Sequence, residues 1–92
     1  MKYKLILSPQ AKEDVLEHAK AGNKSLLKKL SLLFHELQEH PKTGTGKPKL
    51  LKYRQTNIWS RRIDQKHRLL YQIDENIISV IVIAAKEHYD DK

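Results

Sequence analysis

Residues 58–71 decide the fold of this chain, and they read Ile58-Trp59-Ser60-Arg61-Arg62-Ile63-Asp64-Gln65-Lys66-His67-Arg68-Leu69-Leu70-Tyr71. Two apolar, strand-forming segments flank a polar turn, and arginines sit inside both. An unpaired charge within such sequence costs free energy, so a protein that carries it there is expected to use it. Guanidinium groups stay charged and present several donors to phosphate. Together with His88, which can exchange protons near neutral pH, these arginines indicate a protein that handles RNA phosphates.

Further strands are predicted on both sides of this stretch. Four candidates share a period of two and lie at residues 50–53, 58–63, 68–73 and 77–85. The last is almost wholly apolar and β-branched, which is typical of a central strand covered on at least one face. Asp74-Glu75-Asn76 provides a tight hairpin connection before it. Residues 3–7 add a short N-terminal strand.

Two helices are predicted between the first strand and the others. Ser8 can cap the first helix, and Pro9 fits its first position, where a missing N–H costs nothing. Its expected apolar face consists of Ala11, Val15, Leu16 and Ala19. The second helix is predicted over residues 24–39, with a buried stripe formed by Leu26, Leu30, Leu33 and Leu37.

This order of elements predicts a single α+β domain over residues 1–92. An N-terminal strand and a helical hairpin precede a mostly antiparallel sheet of three to four further strands. Two helices cover one face of such a sheet, so the other face is expected to stay open. Polar side chains alternating off the strands would line that open face.

The charge balance favours an anionic partner. The chain has 18 Lys and Arg against 11 Asp and Glu, a net charge of +7, which suits nucleic acid, a ribosome or an acidic protein. There are no cysteines, so disulfides and thiolate metal sites are excluded and a reducing compartment is the natural expectation. The N-terminal apolar segment is too short for a signal peptide or a membrane span, which favours a cytoplasmic protein.

Basic side chains are predicted to gather on the open face. Arg62 shares strand parity with Ser60, and Arg68 alternates with apolar neighbours, so both arginines can project from the open face of neighbouring strands. The alternative is that they are solvated sheet residues neutralised by Asp64 or Glu75. Three lysines at the junction of loop and strand are either a solvated surface or part of a groove for a nucleic-acid backbone, and they are Lys47, Lys49 and Lys52.

The histidines offer one candidate for proton transfer. His18, His35 and His40 lie on or beside helices and are interpreted as inert, whereas His67 could pair with a carboxylate. His88 follows the last strand beside Tyr89 and can exchange protons near neutral pH. No spacing of His residues supports a metal site, and the glycines at 44 and 46 lack the Walker spacing, so neither a metal nor a cofactor is expected.

Several of these residues together carry a resemblance to a known family. The segments are Gly44-Thr45-Gly46-Lys47-Pro48, Leu51-Lys52, Trp59-Ser60-Arg61-Arg62-Ile63, His67-Arg68-Leu69 with Tyr71, and His88-Tyr89. In order, spacing and total length they resemble the YoeB/Txe toxins of the RelE superfamily, the toxin half of bacterial type II toxin–antitoxin modules.

The resemblance implies a RelE-like fold and a ribosome-dependent endoribonuclease that cuts mRNA in the A site. The family's catalytic arginine falls on Arg68, its catalytic histidine on His88 and its terminal tyrosine on Tyr89, while supporting basic residues fall on Lys52 and Arg62. The implied partners are a cognate antitoxin, the ribosome with its mRNA, and operator DNA reached only through the antitoxin complex. The oligomeric state is left open, a homodimer included.

One position departs from the family pattern. The family usually has Gly-Lys-Pro-Glu, whose glutamate is the proposed general base, and this chain has Gly46-Lys47-Pro48-Lys49. Lys49 is an engineered detoxifying change, a natural loss of catalysis, or itself the base. The alternative function is a non-catalytic binder, which blocks the A site or serves with its antitoxin in operator binding.

Overall fold

The predicted order of strand, helix pair and strands is present in the structure, a computed structural model that describes residues 2–51 and 57–86. The α+β class is thereby confirmed. Within the described residues the elements are β1 Lys4–Leu7, α1 Pro9–Lys20, α2 Lys24–Glu39, β2 Lys49–Leu50, β3 Ile58–Arg62, β4 Arg68–Asp74 and β5 Ser79–Ala84.

The strands form one mixed sheet in the order β1-β5-β4-β3-β2. The pairs β2–β3, β3–β4 and β4–β5 are antiparallel, and β1 pairs with β5 in parallel. Parallel neighbours need a crossover connection, and the two helices supply part of it. β5 lies between β1 and β4, so the interior placement predicted for the apolar segment 77–85 is confirmed.

The helix boundaries agree with the sequence signals. The Oγ of Ser8 accepts a hydrogen bond from the N–H of Ala11 at 3.0 Å, and Pro9 begins α1. The buried side chains of α2 are the four predicted leucines, Leu26, Leu30, Leu33 and Leu37. In the described part of the chain, neither helix is long and apolar enough to cross a membrane.

The predicted buried face of α1 is wrong in part. Leu16 is 55% exposed and Ala19 is also exposed, while the buried residues of this helix are Ala11, Asp14 and His18. Asp14 and His18 turn inward because each makes a hydrogen bond to the backbone of Ala85. The spacing of apolar residues along the helix does not reveal such a polar contact with a residue distant in sequence.

The sheet face opposite the helices is less open than predicted. The helices pack on the face that carries Leu69, Tyr71 and Ile73. A second apolar cluster lies on the other face and contains Leu51, Ile58, Leu70 and Ala84, with Ile83 packed against it. Polar side chains therefore occupy only part of that face, because several outward positions of the strands are apolar.

A fully buried arginine ties α2 and the loop after it to the sheet. The guanidinium of Arg61 is inaccessible to solvent and donates to Glu36 Oε1 at 3.0 Å, to the carbonyl of Pro41 at 3.0 Å and to that of Thr43 at 2.9 Å. Its Nε donates to the hydroxyl of Tyr71 at 3.3 Å. That hydroxyl donates in turn to the carbonyl of Pro41 at 2.8 Å. The buried charge is thus surrounded by acceptors.

Glu36 completes this network on the side of the loop. Its carboxylate accepts from the N–H of Thr45 at 2.8 Å and from the Thr45 hydroxyl at 2.7 Å. Burial acts to raise the pKa of Glu36, but the Thr45 hydrogen bonds and the Arg61 charge outweigh it, and the net pKa is lowered. The carboxylate is therefore held in its charged form beside Arg61.

Gly46 lets the loop lie directly against β3. Its φ is +91°, and a Cβ there would lie 2.5 Å from the carbonyl oxygen of Arg62 and 2.7 Å from Cγ of Arg61. The Gly46 carbonyl accepts from the N–H of Arg62 at 2.7 Å. Any side chain would therefore push the loop away from the strand, and with it the start of β2.

The Glu36–Arg61 pair should make the stability of the fold depend on pH. The pKa of Glu36 in the folded protein is lower than its ordinary value of 4.5. The charged carboxylate therefore adds to the free energy of unfolding at pH values above 4.5, and this addition is lost as the pH falls through the lowered pKa. Glu36→Gln should reduce the free energy of unfolding by about 3 kcal/mol at pH 7, since it leaves the Arg61 charge without its counter-ion. Urea unfolding at pH 7 and pH 3 should show this difference shrinking at the lower pH.

Glu39→Gln is the matched control for this experiment. Glu39 also lies on α2, but its ion pair with Lys2 is exposed and its charged atoms are 3.5 Å apart. Surface pairs contribute about 0–1 kcal/mol, so this variant should change little at either pH. An equal loss of stability for Glu36→Gln at both pH values would contradict the assignment to the carboxylate charge.

Candidate nucleic-acid interface

Two arginines lie directly opposite each other where β3 and β4 pair. Arg62 and Arg68 are register partners in this antiparallel ladder, with Arg62 exposed and Arg68 half-buried. Directly opposed residues project from the same sheet face with Cβ atoms about 4.5–5.5 Å apart. The structure therefore places both guanidinium groups on the face opposite the helices, as the strand parity predicts.

The turn between these strands fixes that register. Oδ1 of Asp64 accepts from the N–H groups of Lys66 at 2.9 Å and His67 at 2.7 Å, and the N–H of Ile63 donates to the His67 carbonyl at 3.0 Å. Burial acts to raise the pKa of Asp64, but these backbone hydrogen bonds outweigh it and the net pKa is lowered. Asp64 is thus a charged acceptor that shapes the turn.

Glu75, the other suggested counter-ion for the arginines, has contacts elsewhere. It accepts from the Tyr3 hydroxyl at 2.8 Å and lies 3.3 Å from Nζ of Lys42. These contacts are at the opposite end of β4 from Arg68, beyond its last residue, Asp74. The suggestion that Glu75 neutralises the arginine pair finds no support in these contacts.

Lys49 joins the arginines on the same face. It is exposed, and its register partner on β3 is Ser60, which shares parity with Arg62. Arg62 is then the diagonal neighbour of Lys49, at roughly 7–8 Å by the usual geometry of a sheet. Lys47 is also exposed and has a φ of 53° in the turn before β2. Lys52, His88 and Tyr89 lie outside the described residues.

Ser60 lies on the same sheet face as these cations, and the sequence argument did not single it out as a functional residue. It is 2% exposed and lies between Lys49 and Leu70 in the register of the sheet. Among the described residues its Oγ is buried without a hydrogen-bond partner. Its parity with Arg62 was visible in the sequence, but the absence of a partner for its hydroxyl could only come from the structure.

The described surface is suited to binding an anion. Lys49, Arg62 and Arg68 supply cations on one face, and the apolar cluster that contains Ile58 and Leu70 borders them. Like charges directly opposed across a ladder are destabilising, and a phosphate between them would offset this repulsion. Within residues 2–51 and 57–86, no three His, Asp or Glu side chains come together as a metal site would require.

Two of the histidines have structural contacts that the sequence did not indicate. His18 is 5% exposed, and its Nε2 lies 2.9 Å from the carbonyl oxygen of Ala85. The ring of His67 meets that of His18 edge-on, with centroids 4.7 Å apart. The sequence left open which carboxylate could pair with His67; in the structure the carboxylate of Asp64 accepts from the backbone N–H of His67 at 2.7 Å.

Comparison with known protein families identifies the family to which this chain belongs. Residues 7–89 match the family described as the YoeB-like toxin of bacterial type II toxin-antitoxin systems. The chain belongs to this family. It is therefore the toxin component of a type II toxin–antitoxin system, and the RelE-like fold expected from the resemblance is confirmed.

Three relatives show how closely the whole chain follows the family. Toxin YoeB of Escherichia coli K12 is 35% identical over 86 residues, covering 94% of this chain and 99% of the relative. The YoeB dimer from Staphylococcus aureus matches with a TM-score of 0.82 at 32% identity, covering 97% of this chain and 100% of the other. A YoeB–YefM complex from the same organism gives 0.78 at 34% identity with the same coverage.

The opposed arginines should carry a cost in stability that depends on salt. Arg62→Gln removes one of two like charges, so it should raise the free energy of unfolding by about 0.2–1 kcal/mol at low ionic strength. The gain should shrink in 1 M salt, where the screening length is about 3 Å. Denaturant unfolding at both salt concentrations measures it.

Lys66→Gln provides the comparison, because Lys66 is an exposed cation in the turn and has no register partner in the β3–β4 ladder. It should show a smaller gain at low salt. If Arg62→Gln instead destabilises the protein equally at both salt concentrations, the arginine contributes packing or hydrogen bonds and the repulsion is not significant.

Proposed function

We propose that this toxin is a ribosome-dependent endoribonuclease that cuts mRNA in the A site. The observation that carries the proposal is the opposition of Arg62 and Arg68 on the face that also holds Lys49. Neutral residues at positions 62 and 68 would allow the same strand pairing without repulsion between like charges. The ribosomal setting is what the resemblance to YoeB/Txe toxins implies, and membership of the toxin family supports it.

The proposed chemistry is attack of a ribose 2′-OH on the adjacent phosphate. The new bond joins the 2′-oxygen to phosphorus, the bond from phosphorus to the 5′-oxygen breaks, and the products are a 2′,3′-cyclic phosphate and a 5′-hydroxyl. This step needs a base for the 2′ proton, an acid for the leaving 5′-oxygen and cations for the charge that develops on phosphorus.

We assign one group of the chain to each of these tasks. Arg68 stabilises the developing charge, and His88 protonates the leaving oxygen, with Tyr89 beside it at the chain end. The remaining basic residues hold the RNA backbone, and they are Lys47, Lys52 and Arg62. The chemistry of these side chains requires no metal or cofactor.

Lys49 is the candidate for the base by position but is poorly suited to it by chemistry. Its side chain shares the face of Arg62 and Arg68, where a base could reach the same nucleotide. A lysine accepts a proton only in its neutral form, and its reference pKa is about 10.4, roughly three units above neutral pH. Each unit corresponds to about 1.4 kcal/mol, so reaching the neutral form costs about 4 kcal/mol.

Two functions follow from this position of Lys49. A weak nuclease retains the RNA-binding surface and loses part of its rate, whereas a non-catalytic binder blocks the A site or acts with its antitoxin on operator DNA. We favour the weak nuclease, because Arg68 and His88 supply the charge stabilisation and the acid even where the base is poor.

The partners follow from charge and from the relatives. The net charge of +7 favours an acidic antitoxin segment that folds as it docks on the basic face. The Staphylococcus aureus relatives, one a dimer and one a complex with YefM, support a proteinaceous antitoxin and leave a homodimer open for this chain. We place the reaction in the cytoplasm, since its substrate is ribosome-bound mRNA.

The deciding experiment adds the purified toxin to translating ribosomes and maps the 5′ ends of the mRNA. Discrete cuts at the A-site codon, absent when the same RNA is incubated without ribosomes, would support the nuclease. Ribosomes that stall without cuts would support the binder. Intact mRNA with unimpeded translation would exclude both functions.

Cleavage should depend on Arg68. Losing a donor positioned at developing charge costs about 2.7–4 kcal/mol, so Arg68→Ala should cut about 100-fold more slowly or worse. Arg68→Lys keeps the positive charge but lacks the planar guanidinium group, so its cleavage rate should lie between those of the parent and Arg68→Ala. Single-turnover rates on programmed ribosomes measure this, with circular dichroism confirming the folded fraction.

The control for Arg68→Ala lies on the same strand and the same face. Gln72→Ala truncates another half-buried side chain of β4, and its register partner Ile58 belongs to the apolar cluster. It should leave the single-turnover rate within a fewfold of the parent. A folded Arg68→Ala protein that cuts at the parent rate would remove Arg68 from the mechanism.

Restoring a carboxylate at position 49 should increase the rate. A glutamate is already ionised at neutral pH, so Lys49→Glu should raise ribosome-dependent cleavage by at least about tenfold, within the usual range for a general base. Lys47→Glu makes the same change of charge two residues earlier and should weaken binding without raising the rate. If the parent and Lys49→Glu proteins cut equally fast, Lys49 is a working base or no base is needed there.

A further inference from the structure

Two buried polar side chains of α1 hold both backbone groups of a single residue, Ala85. Asp14 is 1% exposed, and its Oδ2 accepts from the N–H of Ala85 at 2.9 Å. His18, one helical turn later and 5% exposed, lies with Nε2 2.9 Å from the Ala85 carbonyl oxygen. Since a carbonyl only accepts, Nε2 carries the proton and donates it. We refer to Asp14, His18 and Ala85 as the Ala85 clasp.

The Ala85 clasp lies where the chain leaves the sheet. β5 ends at Ala84, and the next residue is held by α1 instead of by a neighbouring strand. Lys86 extends the contact, since its Nζ pairs with the carboxylate of Glu17 on the same helix. Two consecutive residues, Ala85 and Lys86, therefore contact α1 just before the segment that contains His88.

Stability alone is a poor reason for these residue types. A buried carboxylate costs free energy unless it is fully hydrogen-bonded, and the other oxygen of Asp14 takes a hydrogen bond from Gln10 Nε2 at 2.8 Å. Apolar residues on this face of α1 would pack against the sheet without that cost. What a polar pair adds is direction, because two hydrogen bonds fix the orientation of one peptide unit as apolar contacts do not.

The distance along the chain connects the Ala85 clasp to the proposed acid. His88 is the third residue after Ala85, and three residues span at most about 10 Å. A fixed Ala85 therefore limits how far His88 can lie from α1. Catalytic groups are sensitive to such restriction, since a misplacement of about 1 Å can cost about 100-fold in rate.

We propose that Asp14 and His18 are positioning residues that hold the chain at Ala85 so that His88 meets the leaving 5′-oxygen. The inference rests on the proposed function, in which His88 is the general acid. The basic face on β2, β3 and β4 does not include the Ala85 clasp, so losing the clasp impairs the protonation of the leaving group and spares the binding of RNA.

The first test compares Asp14→Ala with Asp14→Asn. The asparagine keeps an acceptor for the N–H of Ala85, and the amide of Gln10 can turn over to accept from the new NH₂ group. In single-turnover cleavage on programmed ribosomes, Asp14→Ala should be about 100-fold slower with ribosome affinity within about twofold of the parent. Asp14→Asn should regain most of the rate. Leu16→Ala, an exposed change on the same helix, should match the parent.

A substrate with a better leaving group separates positioning from general damage. In an mRNA whose scissile 5′-oxygen is replaced by sulfur, the leaving thiol has a pKa of about 8.5 and departs without an acid. The deficit of Asp14→Ala should shrink to less than about threefold on this substrate. A deficit of equal size on the oxygen and sulfur substrates would overturn the proposal.

A measurement without ribosomes keeps this inference distinct from the proposed function. Amide hydrogen exchange at residues 85–88 and the NMR signals of the His88 ring should change in Asp14→Ala and return in Asp14→Asn, with the amides of β3 and β4 unchanged. If the parent protein cuts no RNA, the proposed function fails while these signals still decide whether α1 positions the chain end. Unchanged signals in folded Asp14→Ala overturn the inference whatever the activity.

A second pair of variants covers the case in which Asp14→Ala does not fold. His18→Phe keeps a ring against His67 and removes the N–H donor to the Ala85 carbonyl, whereas His18→Gln retains a donor. The phenylalanine form should reproduce the exchange and leaving-group effects, and the glutamine form should rescue them. If neither Asp14→Ala nor His18→Phe folds, the Ala85 clasp serves stability and the positioning role is overturned.

Discussion

The buried charge of Arg61 is the constraint on which the rest of the structure depends. A guanidinium inaccessible to solvent needs acceptors for its donors, and here α2, the following loop and β4 provide acceptors for all three of its nitrogens. Burial raises the pKa of Tyr71, although the Arg61 charge opposes this, and its protonated hydroxyl donates to the Pro41 carbonyl. Together these contacts hold the loop against β3 and so determine where β2, with Lys49, begins.

Neighbouring arginines in one strand have opposite environments for a simple geometric reason. Arg61 points towards the helices and has its acceptors supplied, while Arg62 points to the other face and meets Arg68 across the ladder. The inward charge stabilises the fold through a specific network, and the outward pair is expected to oppose it through repulsion. A sequence that departs from local preference at an exposed surface does so at a site of function more often than elsewhere.

Local information in the sequence predicted most elements of the fold, and long-range contacts account for what it missed. The Ser8-Pro9 signal and the leucine stripe of α2 act within a few residues, so their helices were predictable. Strand parity placed Arg62 and Arg68 on one face, although their direct opposition depends on the turn that Asp64 shapes. The burial of Asp14 depends on Ala85, 71 residues away, and no periodicity in α1 records such a contact.

Two separate polar networks hold described residues that precede groups of the proposed reaction along the chain. Arg61 and Glu36 fix the loop that leads to Lys49, and Asp14 and His18 fix the residue that precedes the segment with His88. The two networks share no residue, so each can be altered while the other stays intact. In the proposed reaction, the general base and the general acid must nevertheless both come within hydrogen-bonding distance of the same nucleotide linkage. Buried polar groups, which contribute little net stability, are thus retained where the relative placement of distant segments matters most.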